Sequence, residues 1–370
     1  MRRRAQRHSA PARALGRFWT VLVVVIGGGA ATLQWLGPPP APPKPAAGAV
    51  ASPSSAPAAQ MPSAAAASVA AGAGGNPTAP SSAPVTSTIG AIPPQPSRAI
   101  ASPDPALLEP SPGQPHALLP RIGANGATPM QVYAAAFNPA DPRPRIGIVV
   151  AGVGLSSQAS QDTIDNLPSA VTLAFSPYAP DPAKLLARAR SKGHEILISL
   201  PLEPNGYPLT DAGDESLLVG APAGQNLRRL DWALSRIQGY VGATGAMDGL
   251  YGERFAAATD LLDKLEGRLA ARGLLYIDPR PGKPDPAMVT GRTVDVLVDQ
   301  PPIEPVIDAN LQKLEAIARA HGSALGLIGW PGPQTLTLLT DWAGTLSAAG
   351  FVLAPVTALV HRPSHAISQQ

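Results

Sequence analysis

From Arg145 the chain reads Arg145-Ile-Gly-Ile-Val-Val-Ala-Gly-Val-Gly-Leu-Ser156, with an unbroken apolar or glycine run from Ile146 to Val150. Pro144 precedes the run, and Gly152 and Gly154 follow it. A short β-branched run bounded by turn residues reads as a strand buried on both faces, as in a parallel sheet. The turn after such a strand lies at the carboxyl end of the sheet, where α/β proteins place their chemistry. Here that turn is Ala151-Gly152-Val153-Gly154, and it carries no ionisable group.

The pattern repeats downstream. Apolar runs predict further strands over Val171–Phe175, Glu195–Ser199, Gly239–Ala243, Leu274–Ile277, Val294–Val298, Ala324–Ile328 and Phe351–Ala354. Helical spacing predicts helices over Ser157–Asn166, Pro182–Lys192, Leu227–Ile237, Ala256–Arg272, Ala309–His321 and Pro333–Ala349. Gly193, Gly273, Gly322 and Gly350 stand just past four of them, as left-handed stops. A shorter helix is expected within Ala127–Phe137, at the domain edge. Repeated βα units with buried strands make an α/β fold with a parallel sheet, open or closed as a barrel.

Upstream of this domain, which runs over 122–360, the composition changes. The chain has 45 Pro and 36 Gly in 370 residues and only 14% charged residues, which marks a long low-complexity portion. Residues 37–121 are rich in Ala, Pro, Ser and Gly, and such a segment buries too little apolar surface to offset its ordering entropy. It reads as a disordered linker of extended polyproline character, either a tether reaching away from a membrane or a spacer kept only for solubility. Residues 18–36 are uncharged and long enough to span ~30 Å of hydrocarbon as a helix, with Trp19 and Trp35 near its ends. Arginines cluster in 1–17, so this segment would be a single-pass inner-membrane anchor with the folded domain in the periplasm. The rival reading is a cleaved signal peptide, which exports the domain equally. That topology explains the basic terminus better than a nucleic-acid arm, and no nucleic-acid partner is expected. Residues 361–370 are expected to be a tail.

The loops after the strands supply few reactive groups. Glu203, Asp278 and Asp299 follow strands, Asp248 lies in the loop after Thr244, and Arg280 is the nearest cation. Asp278 with Glu203 would make a carboxylate pair for acid–base work, or Asp278 would simply bind Arg280 and shape its loop. Trp330 on the same face would stack on a sugar or plug the mouth. Of the six His, only His194 and His321 belong to the expected domain, and both sit in helix-to-strand turns on the opposite face. His8, His116, His361 and His365 fall in the terminus, linker and tail. A His-ligated metal is therefore not expected, and no Ser nucleophile has a His base. Gly152-Val-Gly154 lacks the third Gly and the acid of a dinucleotide fingerprint. There is no Cys for a disulfide or a thiolate site.

Several segments, in this order and spacing, resemble the divergent polysaccharide deacetylase family. They are Arg145 to Ser156, Leu167-Pro-Ser-Ala-Val-Thr-Leu-Ala-Phe-Ser-Pro-Tyr178, Gly193-His-Glu-Ile-Leu-Ile-Ser-Leu-Pro-Leu-Glu-Pro204, Gly273-Leu-Leu-Tyr-Ile-Asp278 and Ile328-Gly-Trp-Pro-Gly-Pro-Gln-Thr-Leu336. The resemblance implies a distorted (β/α) barrel of the polysaccharide deacetylase type, exported in Gram-negative bacteria. It also implies metal-dependent removal of acetyl groups from a glycan, and there this sequence departs from the pattern. The family's paired Asp-Asp is Ala151-Gly152, its His before Leu-Pro-Met-Glu-Pro is Ser199, and its Gly-His-Pro is Gly329-Trp330-Pro331. Its Asn-Asn-His-Met-Gly-Ser loop is replaced by Thr244-Gly-Ala-Met-Asp-Gly-Leu-Tyr-Gly252. Glu203 and Asp278 match retained positions.

These departures predict a catalytically degenerate protein with no metal and no cofactor, acting by binding an envelope glycan or a periplasmic protein partner. Its pocket would be lined by Ser199, Asp248, Arg280, Asp299 and Trp330. Two alternatives stand beside it. One is an active carbohydrate esterase with a non-standard carboxylate site, for which a divalent metal such as zinc would be the cofactor. The other is a purely structural envelope protein.

Overall fold

The structure is a computed structural model and describes Arg98–Pro363. The basic terminus, the apolar run over 18–36, the linker as far as 97 and residues 364–370 lie outside the described residues. Among the described residues no helix is long and apolar enough to cross a membrane.

The expected linker boundary at 121 is corrected by the first element. Strands β1 (Leu108–Ser111) and β2 (Gln114–Pro120) form an antiparallel hairpin inside that stretch, turning at Gly113 with φ of 76°. Local composition had already shifted here, since Leu107 and Leu119 bury against the domain. Arg272 fixes the hairpin from outside, with Nη1 donating to Glu109 Oε1 at 2.9 Å and to the Pro120 carbonyl at 2.8 Å. His116, placed in the linker from sequence, stands in β2.

Helix α1 (Pro129–Val132) is one turn, opened by a capping box between Thr128 and Gln131. It is the short helix expected within Ala127–Phe137, and it ends well before Phe137. The Ala135 amide donates instead to the buried Glu195 carboxylate at 2.9 Å, which draws the backbone off the helical path.

The βα repeat then follows in order. It comprises β3 (Arg145–Val153), α2 (Ser157–Asn166), β4 (Thr172–Phe175), α3 (Ala183–Lys192), β5 (Ile196–Ser199), α4 (Ala223–Ser235) and β6 (Gly242–Thr244). Helices α5 (Glu253–Ala257) and α6 (Thr259–Ala271) come next, with β7 (Leu275–Asp278), β8 (Gly291–Thr293) and β9 (Val296–Leu297). Helix α7 (Glu304–His321), β10 (Ser323–Ile328), α8 (Pro333–Thr345) and β11 (Val352–Leu353) complete it. The sheet is parallel throughout, in the order β8-β7-β6-β5-β4-β3-β10-β9, with β11 also pairing β3. Its end strands β8 and β9 are separated in sequence only by Val294 and Asp295. Asp295 Oδ2 accepts from Arg292 in β8 at 2.9 Å and from the Leu325 amide in β10 at 2.7 Å, tying one end of the sheet to the other. The result is the distorted (β/α) barrel expected from the sequence.

Two apolar layers hold it. Ile146, Ile148 and Val150 of β3 belong to the layer shared with the helices, whereas Val149 and Ala151 belong to a second layer with Leu197, Leu275, Ile277 and Leu327. This alternation is the period of two along a strand. Each fully buried Leu, Ile or Phe of these layers contributes about 1.5–3 kcal/mol of transfer free energy.

Several boundaries move. The helix expected over Ala256–Arg272 breaks at Ala258, whose φ of −84° and ψ of 86° are not helical. Helix α7 starts at Glu304, five residues before the expected Ala309, because Pro305 occupies its first turn, where no amide donor is needed. Strand β8 was not predicted, since Gly291-Arg-Thr293 carries no apolar run. The four glycine stops all have positive φ, from 70° to 89°. His361, expected in the tail, exchanges two backbone hydrogen bonds with Gly291 and places Nδ1 2.7 Å from Asp285 Oδ2.

Candidate functional site

The carboxyl ends of the strands converge on a mouth whose floor is set by β3. Its pairing with β4 shifts register between Val150 and Val153, so Ala151 and Gly152 bulge there, with φ of 75° at Gly152. Over this bulge lies a two-residue turn from the loop after β6. Met247 N donates to Leu250 O at 2.8 Å and Leu250 N to Met247 O at 2.9 Å. The central residues Asp248 and Gly249 have φ of 51° and 78°. An Asp-Gly pair with both φ positive is the preferred tight hairpin turn.

This turn fills the mouth. A Cβ placed on Gly152 would stand 3.5 Å from Asp248 Oδ1 and 3.6 Å from the Gly329 carbonyl. A Cβ on Gly329 would come within 2.6 Å of the Tyr251 hydroxyl and 3.2 Å of Gly249 Cα. The loops after β3, β6 and β10 therefore touch one another across the opening, and at Gly329 only glycine permits the approach.

Asp299 secures the third of these loops. Its Oδ1 accepts from the Gly329 amide at 2.9 Å and its Oδ2 from the Trp330 amide at 2.7 Å. Burial pushes the Asp299 carboxyl above its usual range, and the two amides pull it part of the way back. Trp330 is 57% exposed, so it does not plug the mouth. Ser199, where the family pattern has His, is fully buried at the end of β5, and its Oγ has no partner among the described residues. Asp248 is half-buried, its carboxylate makes no hydrogen bond or ion pair among the described residues, and burial raises its pKa.

The structure does not assemble the Glu203–Asp278 pair. Asp278 receives Arg280 Nε at 2.8 Å, Nη2 at 2.5 Å and the Arg280 backbone amide at 3.0 Å. It is the ion pair that shapes its own loop. Glu203 accepts from the Val219 amide at 2.5 Å and pairs with Arg254 Nη1 at 3.0 Å. The two carboxylates line different clefts, Glu203 with Tyr207 and Arg229, Asp278 with Glu266 and Lys283.

A deacetylase metal needs several imidazole or carboxylate ligands converging on one point. The donor set at this mouth does not fit one. Gly152 and Ser199 replace ligands, Asp299 is occupied by amides, and Asp248 stands alone. Among the described residues no three His, Cys, Asp or Glu side chains are grouped to hold an ion. His194 is fully buried between α3 and β5, on the face away from the mouth, with its ring nitrogens 2.9 Å and 3.1 Å from the Val171 and Ile164 carbonyls.

Sequence reasoning passed over Tyr251 and over the plug formed by Asp248 and Gly249, although Asp-Gly between apolar residues is itself a turn signal. It also missed a cleft of about 380 Å³ beside the plug, lined by Leu155, Ser176, Tyr178, Asp211, Asp214 and Asp248. Tyr178 stands there with its ring 5.1 Å from that of Trp232 and its hydroxyl accepting from the Glu215 amide at 3.1 Å.

Comparison with known proteins places this geometry. Residues 148–360 match the family described as divergent polysaccharide deacetylase. The crystal structure of an uncharacterized protein from Agrobacterium tumefaciens C58 is 34% identical, with a TM-score of 0.60 over 65% of this chain and 99% of that one. An uncharacterized protein of Haemophilus influenzae is 28% identical over 203 residues, which is 53% of this chain and 69% of the relative. The catalytic domain of peptidoglycan N-acetylglucosamine deacetylase from Eubacterium rectale is a more distant likeness, 14% identical with a TM-score of 0.41 over 62% of this chain and 95% of that one.

Proposed function

The chain belongs to the divergent polysaccharide deacetylase family, and we propose that it keeps the family's barrel as a binding scaffold for an envelope glycan, without deacetylase chemistry. The observation that carries this reading is the filled mouth, where the Asp248–Gly249 turn packs on Gly152 and Gly329. Hydrolysis of an acetyl group needs an activated water and a group that stabilises the developing oxyanion. At this mouth Asp248 is the one carboxylate free to accept a proton, and no cation faces it among the described residues.

Binding requires less. The cleft beside the plug offers a hydroxyl, a phenol ring and three carboxylates, groups that accept hydrogen bonds from sugar hydroxyls and pack on a sugar face. The exposed indole of Trp330 adds an apolar platform. In this reading residues 18–36 hold the chain in the inner membrane, single-pass, and place the domain in the periplasm among such glycans.

The test uses the full chain, titrated with acetylated and deacetylated envelope oligosaccharides while melting temperature and acetate release are followed. A saccharide-dependent rise in melting temperature without acetate supports the proposal. Asp248 also motivates a second reading, a weak esterase in which this unpaired carboxylate acts as base. Acetate release abolished by Asp248→Asn would establish that reading and overturn the first. A crosslinked periplasmic protein, with no response to any glycan, would replace the sugar with a protein partner.

A further inference from the structure

We propose that the cleft between the β5–α4 loop, the start of α4 and helix α5 is a subsite for an oxyanion, a carboxylate or phosphate carried on the glycan. The inference rests on the glycan reading above and names the chemistry of the saccharide. The cleft has a volume of about 510 Å³, and Glu203, Tyr207, Gln225, Arg229 and Arg254 are among its lining residues.

Two guanidinium groups are each held there through Nη1, and the Arg254 side chain stays 53% exposed. Arg229 Nη1 donates to the Ser216 carbonyl at 2.6 Å. Arg254 Nη1 pairs with Glu203 Oε1 at 3.0 Å and reaches the Tyr207 carbonyl at 3.5 Å. The Nε and Nη2 groups of both arginines have no partner among the described residues. A guanidinium held along one side presents its remaining donors in a fixed fork, which suits carboxylate and phosphate oxygens.

The anionic side chain in the cleft does not cancel both cations. Glu203 is buried, and its second oxygen accepts from the Val219 amide at 2.5 Å. It neutralises one arginine and leaves the cleft with a net positive charge. Helix α4, 13 residues long, begins at the same place, with Pro222 and Gln225 in the cleft wall and no side chain capping its first turn. Its free amides and positive dipole end add to the same field. A neutral hydroxyl would need none of this; an oxyanion uses all of it.

The retained Glu203 thereby gains a role: it is a positioning residue that holds Arg254 at the cleft floor. No acid–base chemistry follows from it.

The full chain in detergent is titrated with inorganic phosphate, a hexuronic acid, a hexose phosphate and a neutral hexose, each at constant ionic strength set with chloride. Binding is read from the melting temperature and from isothermal titration. The inference predicts saturable binding of the anions and not of the neutral hexose. Preference for the uronate identifies the group as a carboxylate, and preference for the phosphate ester identifies it as a phosphate. Arg229→Gln, which leaves the Glu203–Arg254 pair intact, should weaken anion binding about tenfold, read against the variant's own anion-free melting temperature. A doubly Lys-substituted chain, Arg229→Lys with Arg254→Lys, keeps the charge and should still lose affinity, because the fork is gone. Anion binding no stronger than chloride, or unchanged in Arg229→Gln, overturns the subsite. If a neutral oligosaccharide binds while anions do not, this inference fails and the glycan reading stands. If anions bind at the arginines and no oligosaccharide does, the subsite stands and the glycan reading fails.

Discussion

Asp248 Oδ1 lies 3.5 Å from the point at which a Cβ on Gly152 would stand, so the unpaired carboxylate of the mouth occupies the approach to the position where the family pattern has an acid. The exchange is between loops: an acid is missing after β3 and one is present after β6. Restoring the first by Gly152→Asp would force a side chain onto a residue with φ of 75° and set two carboxylates against each other. The expected cost is ~2 kcal/mol of stability, larger at pH 7 than at pH 4 because repulsion requires both groups ionised. Urea denaturation at the two pH values measures it.

Asp248→Asn should act in the opposite sense. Burial raises the Asp248 pKa above its unfolded value of 3.8, so the folded state binds its proton more tightly than the unfolded chain does. Ionising it therefore costs stability as pH rises through and beyond that value. Asn tolerates the left-handed φ of 51° and carries no charge. The variant should match the parent below about pH 4 and show a higher urea midpoint at pH 7. Equal midpoints at both pH values would mean that Asp248 has a counter-charge.

Removing Arg280 should be strongly destabilising. Asp278 is 3% exposed in its side chain and Arg280 12%, and the arginine supplies three of the carboxylate's hydrogen bonds. Arg280→Met strands a buried charge at a cost of about 3 kcal/mol, whereas Asp278→Asn keeps part of the hydrogen bonding and costs less. Thermal or urea unfolding of both variants reads the difference.

Glu195 provides a pH-dependent term at the opposite end of the barrel. It is fully buried, accepts from the Ala135 and Thr357 amides and from the Thr357 and Thr172 hydroxyls, and burial pushes its carboxyl up to about 7 from 4.5. A raised carboxyl pKa means that stability is intact below pH 4.5 and declines as pH rises toward 7. Glu195→Gln removes that decline. The parent should lose about 3 kcal/mol relative to the variant between pH 4.5 and pH 7, followed by chemical denaturation across that range.

The parallel barrel was readable from residues because its strands are apolar on both faces, so Ile146–Val150 and Ala324–Ile328 declare themselves without any partner. Strand β8 did not, because Gly291-Arg-Thr293 owes its place to β7 on one side and to His361 on the other. The hairpin over 108–120 was hidden by the proline-rich composition before it, although Leu107 and Leu119 are the residues that anchor it. At the mouth, the sequence exposed which ligands were missing, since Gly152, Ser199 and Trp330 are single positions. It did not expose what had taken their place. A plug made by two glycines facing a turn is a relation across three loops, and only the fold brings Gly152, Gly249 and Gly329 together.

The most direct test of the account is the metal content of the purified full chain, prepared without chelators and measured by elemental mass spectrometry. A mouth closed by the Asp248–Gly249 turn predicts no stoichiometric zinc or other divalent ion. One equivalent of metal per chain, lost in Asp248→Asn, would contradict it and make this mouth a catalytic site.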